Sequence, residues 1–276
     1  MKFIDKDNAK NRNKGEQWSR KAMETIADIP NEQNNAIISW DILGKKKELK
    51  QILSEEQEHL CCYCMRKLQP NNTTIEHIIP RNISSNEELT KYQTHRFLDP
   101  SRVSVLINET IGTYKRLKYP PFPHLIAYEN LTVSCNGQLD NRSVKCCNNK
   151  RGNKHIEPLF FIHEITKIIK YDFEGKIDLD EEYESTIKNV GLNYRPLCEI
   201  RKMWYEIAEK TGYNIDDIER AKADSNLRND IIDDIEDTEF KYSTFRKSNW
   251  WAVFADYSWF YEYYSQRRCH SNNEKF

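Results

Sequence analysis

The cysteines constrain this chain more than any other feature. Cys61 and Cys64 stand two residues apart, and Cys135 and a Cys146-Cys147 doublet follow after a long gap. Two residues between thiolates form a knuckle that directs both sulfurs at one ion. Four thiolates ~2.3 Å from Zn²⁺ make a closed tetrahedral structural site. Such a site ties distant segments together and does no catalysis. Isolated cysteines are often just buried free thiols, but two separated clusters beside turn residues favour metal. Spacing alone does not choose between Cys146 and Cys147. Cys62 is the odd member of the first cluster, because one residue separates it from Cys64. Cys198 and Cys269 lie far from both clusters.

The rest of the chain fits a reduced, soluble setting. The first residues alternate charge and polarity without an apolar h-region, and no run approaches the ~18 apolar residues of a membrane span. A cytosolic protein without a membrane segment is expected, in which cysteines ligate rather than cross-link. The 276 residues suit one or two domains, and 12% aromatic content excludes a disordered chain. A net charge of −1 excludes a uniformly basic nucleic-acid coat, so polyanion binding needs a local patch.

Three regions emerge. Residues 1–56 hold a basic arm, with seven Lys/Arg against three acids in 1–21, and then a helix over 45–59 with Leu49, Ile52 and Leu53 on its buried stripe. Residues 57–160 carry the cysteines among loops, a hairpin and short helices. Residues 161–276 open with a β-hairpin turning at Glu174-Gly175. A helix marked by Leu197, Ile200, Trp204 and Ile207 follows, and then an acidic helical stretch over 213–240. The end is an aromatic helix over 250–264, with Trp250, Phe254, Tyr257, Tyr261 and Tyr264 on one face. Trp251, Trp259, Phe260 and Tyr263 fall off that face, which suggests docking of a partner or of a second copy.

Between the cysteine clusters lies Glu76-His77-Ile78-Ile79-Pro80. Adjacent residues of an extended segment point to opposite faces, so one can grip a metal while the other faces a water, although a Glu-His pair alone is more often a surface carboxylate beside a hydrogen-bonded histidine. Asn130-Leu131 then leads into Cys135, and Cys147-Asn148 leads into Arg151-Gly152-Asn153. As an ordered set these residues resemble the HNH nuclease family: C-x2-C, E-H-x-x-P, N-L before a cysteine, and C-N-x-x-[KR]-G-N. The resemblance covers about residues 57–160. It implies an α+β chain, with a zinc-stapled ββα-metal core embedded in mainly helical structure.

Carried over residue by residue, His77 matches the general base and Asn130 the brace of its loop. Glu76 and Asn148 match ligands of a catalytic Mg²⁺ or Mn²⁺. Cys61, Cys64, Cys135 and Cys147 match the zinc ligands, which selects Cys147 over Cys146. Glu76 stands where many members have Asp, one methylene shorter. The interval from His77 to Asn130 is long, so residues 84–128 are expected to project from the fold. A neutral imidazole suits removal of a proton from water near neutral pH, and a carboxylate with an amide oxygen suits a hard ion.

Lys145, Lys150, Arg151 and Lys154 are candidate phosphate contacts, as are Lys115, Arg116 and Lys118 in the insertion. No sequence-reading motif is present. The implied activity is hydrolysis of nucleic-acid phosphodiesters, in DNA first and in tRNA alternatively. A silent zinc-stapled binding or adaptor module is the reading from another class. More loosely, the order of this module, the segment Ser185–Asn193 and the helix after it resembles the HNH subunit of Septu-type and retron-associated anti-phage systems. That resemblance implies an ABC-type ATPase partner.

Overall fold

A computed structural model of the chain describes residues 1–44, 46–83, 85–93, 99–107, 110–139, 146–235 and 242–273. The N-terminal stretch is not a free arm. Met1 and Ile4 are buried, and the first helix, α1, runs Ala9–Ala27. Asn8 caps it, its side-chain oxygen accepting from the Asn11 N–H at 3.3 Å. Trp18, Ala22 and Ile26 recur at four-residue spacing and are buried together with Met23. Gly15 lies under the Tyr128 ring so closely that a Cβ there would stand 2.1 Å from a ring carbon. Several basic residues of the stretch pair with acids nearer the surface, as in Arg12–Glu16, Lys14–Glu55 and Lys21–Glu48.

Two 3-10 turns lead to α2 (Lys46–Glu56), which buries Leu49 and Leu53 and half-buries Ile52. Lys6 fastens the N terminus to this layer. Its ammonium donates to Glu56 Oε2 and to the Leu131 carbonyl, each at 2.7 Å, and lies over the Tyr128 ring.

The middle of the chain forms β1 (Thr73–His77), α3 (Asn86–Gln93), β2 (Val103–Ser104), α4 (Ile111–Arg116), β3 (Phe122–Pro123), β4 (Leu131–Cys135) and α5 (Cys147–Arg151). Strands β1 and β4 pair antiparallel, from Thr73 opposite Cys135 to His77 opposite Leu131. The short strands β2 and β3 pair in parallel. The return of the insertion, from α4 to Tyr128, does not project as expected, whereas Asn86, Glu87 and Glu88 of α3 are exposed. Ile111 and Tyr114 of α4 are fully buried, and the Ser19 hydroxyl of α1 donates to the Ile126 carbonyl at 2.7 Å. The insertion is apolar where it returns toward β4, with Leu125, Ile126, Ala127 and Tyr128 all buried, so it closes over α1 instead of standing in water.

The C-terminal part begins with α6 (Ile165–Ile168) and a small antiparallel hairpin, β5 (Lys170–Tyr171) with β6 (Ile177–Asp178), turning at Gly175. Helices α7 (Glu184–Val190), α8 (Arg195–Lys210), α9 (Ile215–Arg220) and α10 (Ser225–Ile235) follow. Leu197, Ile200, Trp204 and Ile207 are buried on α8, as their spacing predicts. Ile218, Ile231, Ile232 and Ile235 turn α9 and α10 inward. Asp216, Glu219, Asp224, Asp230, Asp233 and Asp234 face solvent.

The aromatic segment is two helices rather than one, α11 (Ser248–Ala255) and α12 (Trp259–Asn273). Asp256 anchors the break: its carboxylate accepts from Arg66 Nε at 3.1 Å, and its carbonyl from the Lys67 N–H at 2.7 Å. The break reorients the rings. Trp251, Phe260 and Tyr263, expected to stand free for docking, are buried, and Trp259 is half-buried. Trp251 Nε1 donates to the Ile218 carbonyl at 2.9 Å, and Trp204 stacks on Phe254 with centroids 4.5 Å apart. These aromatics are core between α8, α9, α11 and α12, so Trp251, Phe260 and Tyr263 offer no surface to a partner or second copy. Among the described residues, no helix is long and apolar enough to cross a membrane.

Candidate functional site

The four thiols of Cys61, Cys64, Cys135 and Cys147 are buried and lie within 4.8 Å of one another. Cys61 Sγ is 3.8 Å from Cys147 Sγ, and Cys64 Sγ is 3.7 Å from Cys135 Sγ. Sulfurs ~2.3 Å from a shared tetrahedral ion stand about 3.8 Å apart, so the donor set fits a metal ion such as zinc. Local backbone presents them. The Cys61 N–H donates to the Arg66 carbonyl at 2.8 Å and the Met65 N–H to the Cys61 carbonyl at 3.2 Å, closing a knuckle in which Met65 is left-handed. The Cys135 N–H donates to Cys61 Sγ at 3.2 Å, and Cys64 Sγ lies 3.6 Å from the Tyr257 hydroxyl. Cys62 is turned away, accepting from the Thr132 hydroxyl at 3.7 Å. Of the doublet, Cys147 joins the set.

Cys135 ends β4 opposite Thr73, and Cys147 opens α5. The cluster therefore fastens the β1–β4 ladder to α5 and to the knuckle at one end. Glu76 and His77 lie toward the other end, on opposite faces of β1.

On the α5 side, Glu76 is 3% exposed. Its Oε1 accepts from Arg151 Nη1, while Oε2 has no hydrogen-bond partner among the described residues. Burial pushes the carboxyl up from its ordinary value, against the opposing pull of the Arg151 guanidinium. Arg151 is itself buried. It also donates to the carbonyls of His77 at 2.7 Å, of Ile78, and of Lys154 at 3.1 Å, and to the Tyr63 hydroxyl at 3.3 Å. Two residues back on β1, Thr74 Oγ1 accepts from Asn148 Nδ2 at 3.1 Å. Glu76 Oε2 is the buried oxygen left without a partner on this face among the described residues. A carboxylate oxygen is a hard donor, and Arg151 already balances part of its charge.

On the other face, the His77 ring is 9% exposed. Its Nε2 is 3.1 Å from the Leu125 carbonyl oxygen. Trp40, from the second 3-10 turn, meets the ring edge-on with centroids 4.6 Å apart at 81°. Burial lowers the imidazole's pKa to about 3. The Leu125 carbonyl opposes the shift, and the charges of Arg81, His124 and Arg151 reinforce it. In this conformation the ring is a neutral base. Asn130 braces the turn after it: Oδ1 accepts from the Ile79 N–H at 2.7 Å, and Nδ2 donates to the carbonyls of Ile79 at 3.0 Å and His124 at 2.8 Å. That leaves Asn130 as a strut holding residues 77–79 against 124–130.

The basic candidates divide. Lys150 and Lys154 are exposed, as are Arg116 and Lys118. Lys145 lies outside the described residues. Arg151, expected at a phosphate track, is instead 1% exposed and saturated by internal partners. Lys115 is half-buried and donates to the Ile29 carbonyl and Asn31. Sequence reasoning missed Arg151 as the partner of Glu76, although two opposite charges in neighbouring motif elements were a usable signal. It also missed Trp40, whose apolar neighbours Ile37, Ile38, Ile42 and Leu43 signal packing but not its target. No protein-family model, curated protein or solved structure matches the chain.

Proposed function

We propose that the chain is a metal-dependent nuclease of the HNH type that hydrolyses phosphodiester bonds, with DNA as the first substrate and tRNA as the alternative. One observation carries the reading: an antiparallel strand pair is joined to a short helix by a four-thiol cluster, with an adjacent carboxylate and neutral imidazole on one strand and an asparagine strut behind them. His77 is the general base that takes the proton of an attacking water. Asn130 fixes the backbone from which that imidazole projects. Glu76 and Asn148 hold the divalent ion, which supplies charge relief on the phosphate and the leaving oxygen. Zinc at the thiols is structural. Lys150 and Lys154 contact the backbone of the substrate strand.

His77 and Glu76 are both covered in the described conformation, so the reading requires Trp40 and its turn to yield when substrate binds. An ABC-type ATPase partner, carried over from the looser resemblance, is the proposed source of that gating. The same closure favours a second reading, a silent zinc-stapled binding module. Plasmid and total tRNA incubated with the purified chain separate the two, in Mg²⁺ and in EDTA, with and without the ATPase. The nuclease reading expects Mg²⁺-dependent cutting that His77→Ala abolishes. Cutting by His77→Ala at the wild-type rate removes His77 from the mechanism, and no cutting under any condition leaves the binding module.

A further inference from the structure

A fifth sulfur lies beside the four. Cys146 is fully buried, with its Sγ 3.7 Å from Cys147 Sγ, just outside the four thiols that lie within 4.8 Å of one another. Its strongest thiol contact outside the cluster is long, 3.5 Å to the Gly137 carbonyl. Its backbone is clasped to the segment just past Cys135. The Cys146 N–H donates to the Gly137 carbonyl at 3.2 Å, and Gly137 comes so near that a Cβ there would stand 1.8 Å from the Cys146 carbonyl oxygen. Cys146 is therefore tied to the Cys135 side of the cluster as well as to α5, whose N-cap it is. Cys147, by contrast, holds its sulfur in place from a left-handed backbone with φ 53°. L residues rarely adopt that conformation.

We propose that Cys146 is a reserve ligand, which takes the fourth coordination position when Cys147 lets go. The exchange breaks one metal–sulfur bond and forms another, and the proton released by the Cys146 thiol is taken up by the Cys147 thiolate. It frees the start of α5, where Asn148 follows Cys147, while the metal stays bound to Cys61, Cys64 and Cys135. The inference rests on the metal reading of the cluster and is independent of nuclease activity.

The test loads the full-length chain with Zn²⁺ or Co²⁺. Zinc content is measured after dialysis, and the sulfur-to-cobalt charge-transfer band after cobalt loading. Cys147→Ser is expected to keep one metal per chain and the wild-type band. Cys135→Ser and the Cys146→Ser/Cys147→Ser double variant are expected to lose the metal. Loss of about a quarter of the band in Cys147→Ser signals three thiolates and overturns the proposal. Should Cys147→Ser not fold, the release rate of zinc to a chelator from Cys146→Ser decides. The proposal expects release several-fold faster than from wild type, and an unchanged rate overturns it. A wild-type chain that binds no metal removes the proposal together with the cluster reading, whereas metal in the wild type and none in folded Cys147→Ser removes the proposal alone.

Discussion

Replacing Arg151 by methionine tests the buried pair at the centre of the site. Methionine fills much of the same volume but leaves Glu76 without its counter-charge in a position 3% exposed. A carboxylate stranded there neutralises by binding a proton instead of staying charged. The cost of that protonation grows with the distance of the pH from the ordinary value of 4.5. At 1.36 kcal/mol per unit it reaches about 2 kcal/mol at pH 6 and about 5 kcal/mol at pH 8. The sign follows from linkage. Glu76 has a folded pKa above its unfolded one, so its favourable contribution is complete below the unfolded value and is lost as pH rises through the folded value.

The carbonyls of His77, Ile78 and Lys154 also lose donors, at roughly 1 kcal/mol each and without pH dependence. The two parts separate in the double variant Glu76→Gln/Arg151→Met. Relative to Arg151→Met alone, it should recover about 2 kcal/mol at pH 6 and about 5 kcal/mol at pH 8. Urea unfolding followed by circular dichroism at both pH values, without added Mg²⁺ or Mn²⁺, measures the difference, and the effect of metal at the thiols cancels between the variants. A double variant as unstable as the single one at pH 8, or a recovery independent of pH, would refute the charge argument. Arg151 would then matter only through its carbonyl contacts.

Further outcomes concern other parts of the molecule. Elemental analysis should find one zinc per chain, and Cys61→Ser should abolish it and lower the thermal midpoint. His77 has a depressed folded pKa, so its contribution to stability is present above the unfolded value and is lost as pH falls toward about 3. Its ring proton resonances should not titrate between pH 5 and 8, and His77→Gln should flatten the acid limb of a stability profile. Gly15→Ala drives a methyl into the Tyr128 ring and should cost about 1–3 kcal/mol in denaturant unfolding. Lys150→Glu and Lys154→Glu should each weaken nucleic-acid binding, measured by fluorescence anisotropy, and lower the salt slope by about 1. An unchanged slope would take those lysines off the phosphate path.

What the sequence disclosed depended on the range over which each signal acts. Thiol spacing, the stripe of α2 and the four apolar positions of α8 are local patterns, and each appears in the fold where the pattern put it. The N-terminal helix was hidden because its apolar stripe is narrow and its packing depends on a glycine meeting Tyr128, far along the chain. The aromatic segment read as one face of one helix, because periodicity does not register a break fixed from outside by Arg66 and Lys67. Arg151 read as a surface cation for the same reason. Charge type is visible in a sequence, but the partner that removes it from water is not.

The β1–β4 ladder pairs five residues on each strand, from Thr73 opposite Cys135 to His77 opposite Leu131. At about 3.3 Å per residue, its two ends are some 13 Å apart. Sulfur grips one terminus and the imidazole sits at the other, with the hydrogen-bonded ladder as a rigid rod between them and Arg151 of α5 clasped along its side. Weakening the grip therefore should not tilt the imidazole by degrees. The rod either keeps its alignment or slips, and a population of such molecules divides into intact and unfastened ones, with nothing graded between.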